Sequence, residues 1–254
     1  MLLAVDIGNT NIVIGIHDTK KWTHHWRIKT VADKMPDEYR VIFRNFMHEA
    51  DMELNALNQV VLCSVVPPLT NGIASMLKNQ TGKDALIINH LINTGLTFAV
   101  DNPAEVGSDL IADAVAAYER FKEACIIVDF GTATTITAVS EKPEFLGVAI
   151  APGMRLSAAA LAGNTAQLPM IDLTPPEKPI GINSPHSIQS GIVLGNLCMV
   201  EGMIDLFRQE MGTNAKAVAT GGLAPQMSAL TDYFTAVDQW LTLEGIRLIA
   251  LKNR

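Results

Sequence analysis

Two aspartates, each at the end of an apolar run and two residues before a glycine, are the residues of this chain best suited to phosphate chemistry. Asp6 lies in LLAVDIGNTNIVIG, and Asp129 lies in the similar phrase CIIVDFGTATTITA. Each phrase predicts a strand, a tight turn that glycine permits, and a returning strand. Backbone amides in such a turn can point at a phosphate, and the carboxylate can hold hydrated Mg²⁺. The repeat therefore predicts two related halves that face each other across a cleft and bind a nucleotide.

Each turn also has a simpler interpretation. Its polar side chains can merely form hydrogen bonds with the backbone of the turn. Asp129 can likewise either ligate a cation or accept hydrogen bonds from the residues that follow it. One copy alone favours the simple interpretation, whereas the matched pair favours phosphate binding. The second copy offers hydroxyls in place of amides, and these can touch a γ-phosphate. Those hydroxyls belong to Thr132, Thr134 and Thr135.

Composition and charge narrow the function classes. Of the 254 residues, 48% are hydrophobic and 18% are charged, which is typical of a globular protein long enough for two domains. The formal net charge of −7, with no basic run longer than Lys20-Lys21, disfavours nucleic-acid binding. The three cysteines are scattered and there is no basic leader, which predicts a cytoplasmic protein. No run approaches about 20 successive apolar residues, so no membrane span is expected. Walker, Rossmann and serine-hydrolase motifs are absent from the sequence.

Strand-like and helix-like segments alternate along the chain, which indicates an α/β protein. Ser108 is expected to cap a helix just before the second aspartate phrase. We expect this helix to connect two domains, residues 1–117 and residues 118–254. The segment 169–185 contains five prolines and predicts a loop or lid, and a long helix is expected over 186–211.

The sequence Gly107-Ser108-Asp109 places a carboxylate in the first turn of the connecting helix, where the helix dipole favours negative charge. Asp109 can simply cap the N-terminus of this helix, or it can be a general base that accepts the proton of an attacking hydroxyl. In phosphoryl transfer such a base contributes less than positioning and charge neutralisation. A third glycine turn, Thr220-Gly221-Gly222, is weak alone but can let an adenine or ribose approach the backbone.

Taken in order, six phrases resemble those of the type III pantothenate kinases, members of the actin-like, acetate and sugar kinase superfamily. The phrases are DIGNTNIVIG, EVGSDLIADAVAAY, IIVDFGTATTITAV, IAPGMRLSAAAL, IGINSPHSIQSG and ATGG. The resemblance implies two ribonuclease-H-like domains with a cleft between them. It also implies ATP-dependent phosphorylation of pantothenate to 4′-phosphopantothenate, the first step of coenzyme A synthesis. The resemblance further implies Mg²⁺ and a monovalent cation such as K⁺ or NH₄⁺. It also implies a homodimer with substrate near the subunit interface.

The resemblance also implies roles for individual residues. Asp109 becomes the base acting on the primary hydroxyl of pantothenate, Asp6 belongs to the phosphate and Mg²⁺ region, and Asp129 becomes the ligand of the monovalent cation. The implied ATP contacts are Asp6, Ile7, Gly8, Asn9, Thr10, Asn11, Ile12, Val13 and Thr132. The implied substrate contacts are Gly107, Ser108, Asp109, Leu110 and Ser184, the last of which keeps the hydroxyl of the usual threonine.

Departures from the family pattern concern the acceptor. The usual Gly-Ala-Asp-Arg reads Gly107-Ser108-Asp109-Leu110 here, so the arginine expected to pair with the pantothenate carboxylate is missing. Such a loss weakens binding by roughly 10- to 100-fold where nothing compensates. Val100 replaces a substrate-contacting tyrosine, Val148 replaces a glycine, and Arg155 is a candidate substitute cation. Two alternatives follow, a kinase of a less anionic acceptor and a weakly catalytic ATP-binding regulator, although retention of all three aspartates argues against the regulator.

Overall fold

The computed structural model describes residues Met1–Arg254 and divides into two compact units. Unit 1 consists of Met1–Leu96, Asp101–Ala116 and Leu241–Arg254, and unit 2 consists of Thr97–Val100 and Ala117–Trp240. The α/β class expected from the sequence is confirmed. The predicted division after residue 117 needs one correction, because the C-terminal helix belongs to unit 1 and not to the second domain.

Unit 1 contains a five-stranded sheet in the order β3-β2-β1-β4-β5. Its strands are β1 (Leu2–Ile7), β2 (Asn11–His17), β3 (Trp22–Lys29), β4 (Gln59–Ser64) and β5 (Ala85–Ile87). Strand β1 pairs antiparallel with β2 and parallel with β4, so Asp6 lies beside Val13 on one side and Cys63 on the other. Because β1 and β4 are central strands covered on both faces, their sequences are almost continuous apolar runs.

Unit 1 contains all or part of four helices. They are α1 (Pro36–Glu49), α2 (Pro67–Thr81), α3 (Ser108–Phe121, in unit 1 as far as Ala116) and α8 (Leu241–Lys252). Helices α1 and α2 pack together and bury Phe43 and Leu77 in the core. Helix α8 packs against β1 and β4 and buries Ile246 and Ile249. This packing, which joins residues far apart in sequence, places the C-terminal helix in unit 1.

Gly245 permits a close approach of α8 to α3. A Cβ atom built on Gly245 would overlap the carbonyl oxygen of Ala112 and lie 2.8 Å from its Cα. Gly245→Ala is therefore expected to lower the free energy of unfolding by about 1–3 kcal/mol, the usual cost of overpacking. Gly163→Ala is the control, because a Cβ on this helical glycine meets no atom within 4 Å and alanine favours a helix. A Gly245→Ala variant that melts at the wild-type temperature in calorimetry would contradict the close approach.

Unit 2 contains a six-stranded sheet in the order β11-β10-β7-β8-β9-β6. Its strands are β6 (Thr97–Phe98), β7 (Cys125–Phe130), β8 (Ala133–Val139), β9 (Glu144–Pro152), β10 (Lys216–Thr220) and β11 (Ala236–Val237). Strand β7 pairs antiparallel with β8 and parallel with β10, so Asp129 lies beside Thr135 and Thr220. The repeated sequence phrase thus corresponds to a repeated arrangement of strands.

The helices of unit 2 are α4 (Met154–Asn164), α5 (Ser184–Gln189), α6 (Gly195–Met211) and α7 (Ala224–Ser228). Residues 165–183 contain neither helix nor strand, which confirms most of the predicted proline-rich loop. The long helix predicted over 186–211 is present, but it contains a π-helical turn at Ser190–Leu194 that the sequence did not indicate. The inner side of this helix carries Val193, Val200 and Ile204 into the core of unit 2.

The same helical stretch, Ser184–Met211, is long and apolar enough to span a membrane by length and composition. Its most apolar window has a mean hydropathy of 1.4, yet only 28% of that window is buried. The sequence predicts a long helix here but no membrane span. A helix that packs one face into the core of a soluble protein meets the same criteria, and Val193, Val200 and Ile204 pack into the core in this way.

Candidate active site

The turn after β1 is closed by its own backbone and leaves its polar side chains at the surface. The backbone N–H of Gly8 donates to the carbonyl of Asn11 over 3.0 Å, and the Thr30 hydroxyl donates to the carbonyl of Gly8 over 2.6 Å. Asn9, Thr10 and Asn11 are exposed. The amide of Gly8 is therefore occupied within the turn, and the exposed side chains are the groups best able to meet a phosphate.

Two of the predicted ATP contacts have buried side chains. Ile7 and Ile12 are 0% and 2% exposed and belong to the core of unit 1. Only their backbone can therefore face a ligand. Asp6 and Val13 are half-buried neighbours across β1 and β2, on the face of the sheet that also carries Cys63.

Helix α3 begins at Ser108, and the N–H of Ile111 donates to the carbonyl of Gly107 over 3.1 Å. Gly107 therefore occupies the capping position, and the prediction that Ser108 caps this helix is wrong. The reason is a tertiary contact, since the Ser108 hydroxyl bonds the backbone of Ser64 at the end of β4 and not its own helix.

The Asp109 carboxylate lies back over the start of α3. Its Oδ1 accepts a hydrogen bond from the N–H of Leu110 over 2.8 Å, and a Cβ built on Gly107 would lie 2.5 Å from this oxygen. Burial raises the pKa of Asp109, and hydrogen bonds from the backbone of Leu110 and of Asp109 itself counter part of that rise. A carboxylate with a raised pKa is a stronger proton acceptor near neutral pH.

The pKa of the Cys63 thiol is affected by the negative charges near the N-terminus of α3. Burial raises the pKa of its thiol well above the usual range, and the negative charges of Asp6, Asp109 and Asp113 raise it further. The fold of unit 1 thus brings Asp6 and Asp109, which are far apart in sequence, near one thiol. Asp113 was not anticipated. It is only 2% exposed and lies one turn after Asp109, a spacing that the sequence could have revealed.

The side chain of Leu110 is buried, with 9% of its surface exposed. The first turn of α3 therefore presents a half-buried carboxylate beside a buried apolar residue.

In unit 2, the Asp129 carboxylate lies against the turn that follows β10. A Cβ built on Gly221, whose φ is +89°, would overlap Oδ1 of Asp129 and lie 2.8 Å from the backbone nitrogen of Phe130. The third glycine turn therefore accommodates this carboxylate. The side chain of Thr132, a predicted ATP contact, is exposed just after Asp129.

The donor sets of the two turns fit the implied cations. Asp6 provides one carboxylate oxygen, as suits Mg²⁺ that keeps several waters and binds phosphate oxygens. Asp129 and the Thr132 hydroxyl are likewise hard oxygen donors, which suit K⁺ or NH₄⁺. No group of three or more His, Cys, Asp or Glu side chains is placed to hold a metal ion.

The remaining predicted substrate residues divide between the units. Gly107, Ser108 and Leu110 lie in unit 1, whereas Ser184 lies in unit 2 as the exposed first residue of α5. Arg155, the candidate substitute cation, is exposed on α4 in unit 2. Its contact with substrate remains a prediction, as do those of the other substrate residues.

Two sheets, each centred on a hairpin with a parallel strand beside it, define an actin-like ATPase fold. A Baf family transcriptional activator from Campylobacter jejuni has a similar structure, with a TM-score of 0.59, 18% identity, and coverage of 99% of this chain and 98% of that chain. MreB 5 of Spiroplasma citri, solved bound to AMPPNP, gives a TM-score of 0.53 at 8% identity and covers 97% and 95% of the two chains. At these identities the likeness shows the fold alone.

The chain belongs to the type III pantothenate kinase family. The sequence pattern of that family matches residues 2–206. A type III pantothenate kinase from Moorella thermoacetica is 44% identical over 253 residues, which cover 100% of both chains. One from Koribacter versatilis is 40% identical over 264 residues, covering 100% of this chain and 96% of the relative. The resemblance seen in the sequence motifs is confirmed, and the chain is a phosphotransferase by family.

Proposed function

We propose that this protein transfers the γ-phosphate of ATP to the primary hydroxyl of pantothenate, giving 4′-phosphopantothenate and ADP. The observation that carries the proposal is the identity of 40–44% to type III pantothenate kinases over the full chain. The position of Asp109 supports it, because a partly buried carboxylate with a raised pKa at a helix N-terminus suits a general base.

In this reaction Asp109 accepts the proton of the attacking hydroxyl. The hydroxyl oxygen forms a bond to the γ-phosphorus while the bond from that phosphorus to the β-phosphate oxygen breaks. The segment from Asp6 to Val13 is the proposed contact of the ATP phosphates, and Thr132 is a further proposed contact of ATP. Asp6 would hold Mg²⁺ and Asp129 would hold a monovalent cation, and both ions would supply positive charge to the phosphates.

A coupled assay of purified protein tests the proposal. With ATP, Mg²⁺, K⁺ and pantothenate we expect ADP to form in step with phosphorylated pantothenate, and we expect turnover to fall when K⁺ is withdrawn. Failure to form ADP at any pantothenate concentration, with the protein folded, would overturn the proposal.

Leu110 favours one alternative acceptor. Its side chain is apolar and buried, so residue 110 offers no positive charge to a substrate carboxylate. Val100 adds a second apolar residue where the family usually has a tyrosine. A neutral pantothenamide would then be the better acceptor. Comparison of kcat/KM for pantothenate and a pantothenamide decides between the two, and a clear preference for pantothenate rejects the alternative.

We also propose a cytoplasmic location, with small molecules as the partners in place of nucleic acid or membrane. The support is the net charge of −7 and three cysteines that are all free thiols in the structure. ATP and pantothenate are the substrates expected in that compartment.

We propose a homodimer formed through unit 2. Eight large apolar side chains of this unit are at least 37% exposed, and exposed apolar surface favours contact with another protein. They are Ile150, Leu156, Leu161, Met170, Ile180, Ile182, Leu206 and Val237. The long helix adds an open surface, since a Cβ built on Gly191 or Gly202 meets no atom within 4 Å. Such positions allow a second copy to pack closely.

Light scattering checks the dimer. The wild type is expected at twice the chain mass of 27.4 kDa. Leu156→Asp places a charge on the exposed apolar surface of unit 2 and is expected to raise the dimer dissociation constant by roughly 10-fold or more. Leu91→Asp is the matched control, because Leu91 is 81% exposed in unit 1. A monomeric wild type, or equal dissociation of both variants, would contradict this interface.

A further inference from the structure

We propose that Ser108 is a positioning residue that fixes Asp109 by anchoring the first turn of α3 to the end of β4. The inference rests on the proposed role of Asp109 as general base. It differs from the substrate contact that the sequence suggested for Ser108.

The hydroxyl of Ser108 uses its whole hydrogen-bonding capacity inside the protein. It donates to the carbonyl of Ser64 over 3.0 Å and accepts from the N–H of Ser64 over 2.9 Å, and the thiol of Cys63 donates to it over 3.3 Å. A hydroxyl has one donor and two acceptor sites, so none remains for a substrate. The side chain is also only 6% exposed.

The Ser108 hydroxyl bonds Ser64 at a point where β4 no longer has β5 as its neighbour. Strand β4 bonds β5 through alternate residues, and the last of these bonds runs from the N–H of Ile88 to the carbonyl of Leu62 over 2.9 Å. Ser64 is the next residue of β4 on that side. The chain of β5 has ended there, and the Ser108 hydroxyl bonds both backbone groups of Ser64 in its place. The side chain thus extends the sheet by one pair of hydrogen bonds.

This anchor connects the base to the phosphate turn. Ser64 lies beside Ile7, the last residue of β1, and the neighbouring pair is Cys63 and Asp6. Asp109 follows Ser108 directly, and its carboxylate is held by backbone amides of the same helical turn. A shift of that turn would therefore move the carboxylate relative to Asp6, and small misplacements of a reacting group are costly in rate.

The test compares Ser108→Ala with Thr81→Val. Thr81 is a matched control, because its buried hydroxyl also donates to one carbonyl, that of Leu77 over 2.8 Å, and accepts from one N–H, that of Lys83 over 3.2 Å. It lies at the end of α2 and bonds only residues next to its own helical turn. Below the melting temperature of both variants, Ser108→Ala is expected to lower kcat about tenfold with KM for ATP within about twofold, and Thr81→Val to leave both constants unchanged.

Hydrogen exchange provides a readout that does not depend on activity. Amides of residues 109–111 are expected to exchange faster in Ser108→Ala than in the wild type, and at the wild-type rate in Thr81→Val. Unchanged exchange there, or a kcat for Ser108→Ala equal to that of Thr81→Val, would overturn the anchor. If the wild type itself fails to phosphorylate pantothenate, the proposed function fails separately, and the exchange rates still decide whether Ser108 holds the turn.

Discussion

Replacing Asp109 with asparagine is expected to lower kcat by about 10²- to 10⁴-fold, the range for loss of a general base, with ATP affinity within about twofold of wild type. Asparagine keeps the size of the side chain but cannot take the hydroxyl proton. ATP affinity is preserved because the phosphate turn at Gly8 is closed by its own hydrogen bonds and needs nothing from Asp109. Steady-state kinetics and nucleotide titration measure the two quantities.

The same substitution is expected to stabilise the fold at neutral pH. Burial raises the pKa of Asp109 above its value in the unfolded chain, so the native state binds more protons between these two pKa values. Stability therefore falls as pH rises through that window, and above it the native protein holds a charged carboxylate at a cost that asparagine avoids. For the same reason, wild-type kcat is expected to fall with acidification already above the usual pKa of an aspartate. A variant that is inactive yet melts at a higher temperature cannot owe its inactivity to misfolding.

Asp113→Asn is the control for Asp109→Asn. Asp113 lies on the same helix, is more deeply buried, and also acts on the thiol of Cys63. It follows Asp109 by one turn and has no proposed part in proton transfer, so its kcat is expected to fall by less than about tenfold. Equal losses for the two variants, or a wild-type kcat for Asp109→Asn, would contradict the assignment of the base.

Gly221→Ala is expected to abolish activation by K⁺ and to lower kcat roughly 10- to 100-fold at saturating K⁺. The new Cβ would overlap Oδ1 of Asp129, and the φ of +89° at this position is strained for any L side chain. The carboxylate has to move away from the turn after β10, which displaces the proposed ligand of the cation. The free energy of unfolding is expected to fall by about 1–3 kcal/mol as well.

Gly212→Ala is a control that introduces backbone strain at a positive φ without displacing the Asp129 carboxylate. Gly212 has a φ of +65° at the end of α6, and a Cβ built there meets no atom within 4 Å. This variant is expected to lose about 1 kcal/mol of stability and to keep the wild-type dependence on K⁺. Titration of the rate with K⁺ in both variants is the measurement. A Gly221→Ala enzyme activated by K⁺ like the wild type would show that Asp129 is not the ligand.

The parts of the fold that depend on local sequence were predictable. The phrases around Asp6 and Asp129 predict a strand, a turn and a returning strand, and both units contain this arrangement. Apolar runs and glycine turns encode such elements within about ten residues. The family motifs predicted the kinase class for the same reason, since each motif is a short stretch of chain.

Features that depend on contacts between distant segments were not predictable. Serine is a residue type that often caps helices, yet the hydroxyl of Ser108 bonds Ser64, which lies 44 residues earlier in the chain. The glycine turn at Gly221 predicts a nucleotide contact, which stays a prediction, but the sequence gives no sign that Gly221 lies against Asp129. The C-terminal helix carries no signal for the sheet on which it packs. Periodicity reports which residues are buried within an element but not which partner covers them.

Product analysis of the purified protein tests the central claim most directly. After incubation with ATP, Mg²⁺, K⁺ and pantothenate, phosphorus NMR and mass spectrometry should show one phosphate ester on the primary hydroxyl of pantothenate, formed in equal amount with ADP. The Asp109→Asn protein should form this ester at least about 100-fold more slowly. Absence of the ester from the wild-type reaction, with folded protein and intact substrates, would contradict the account.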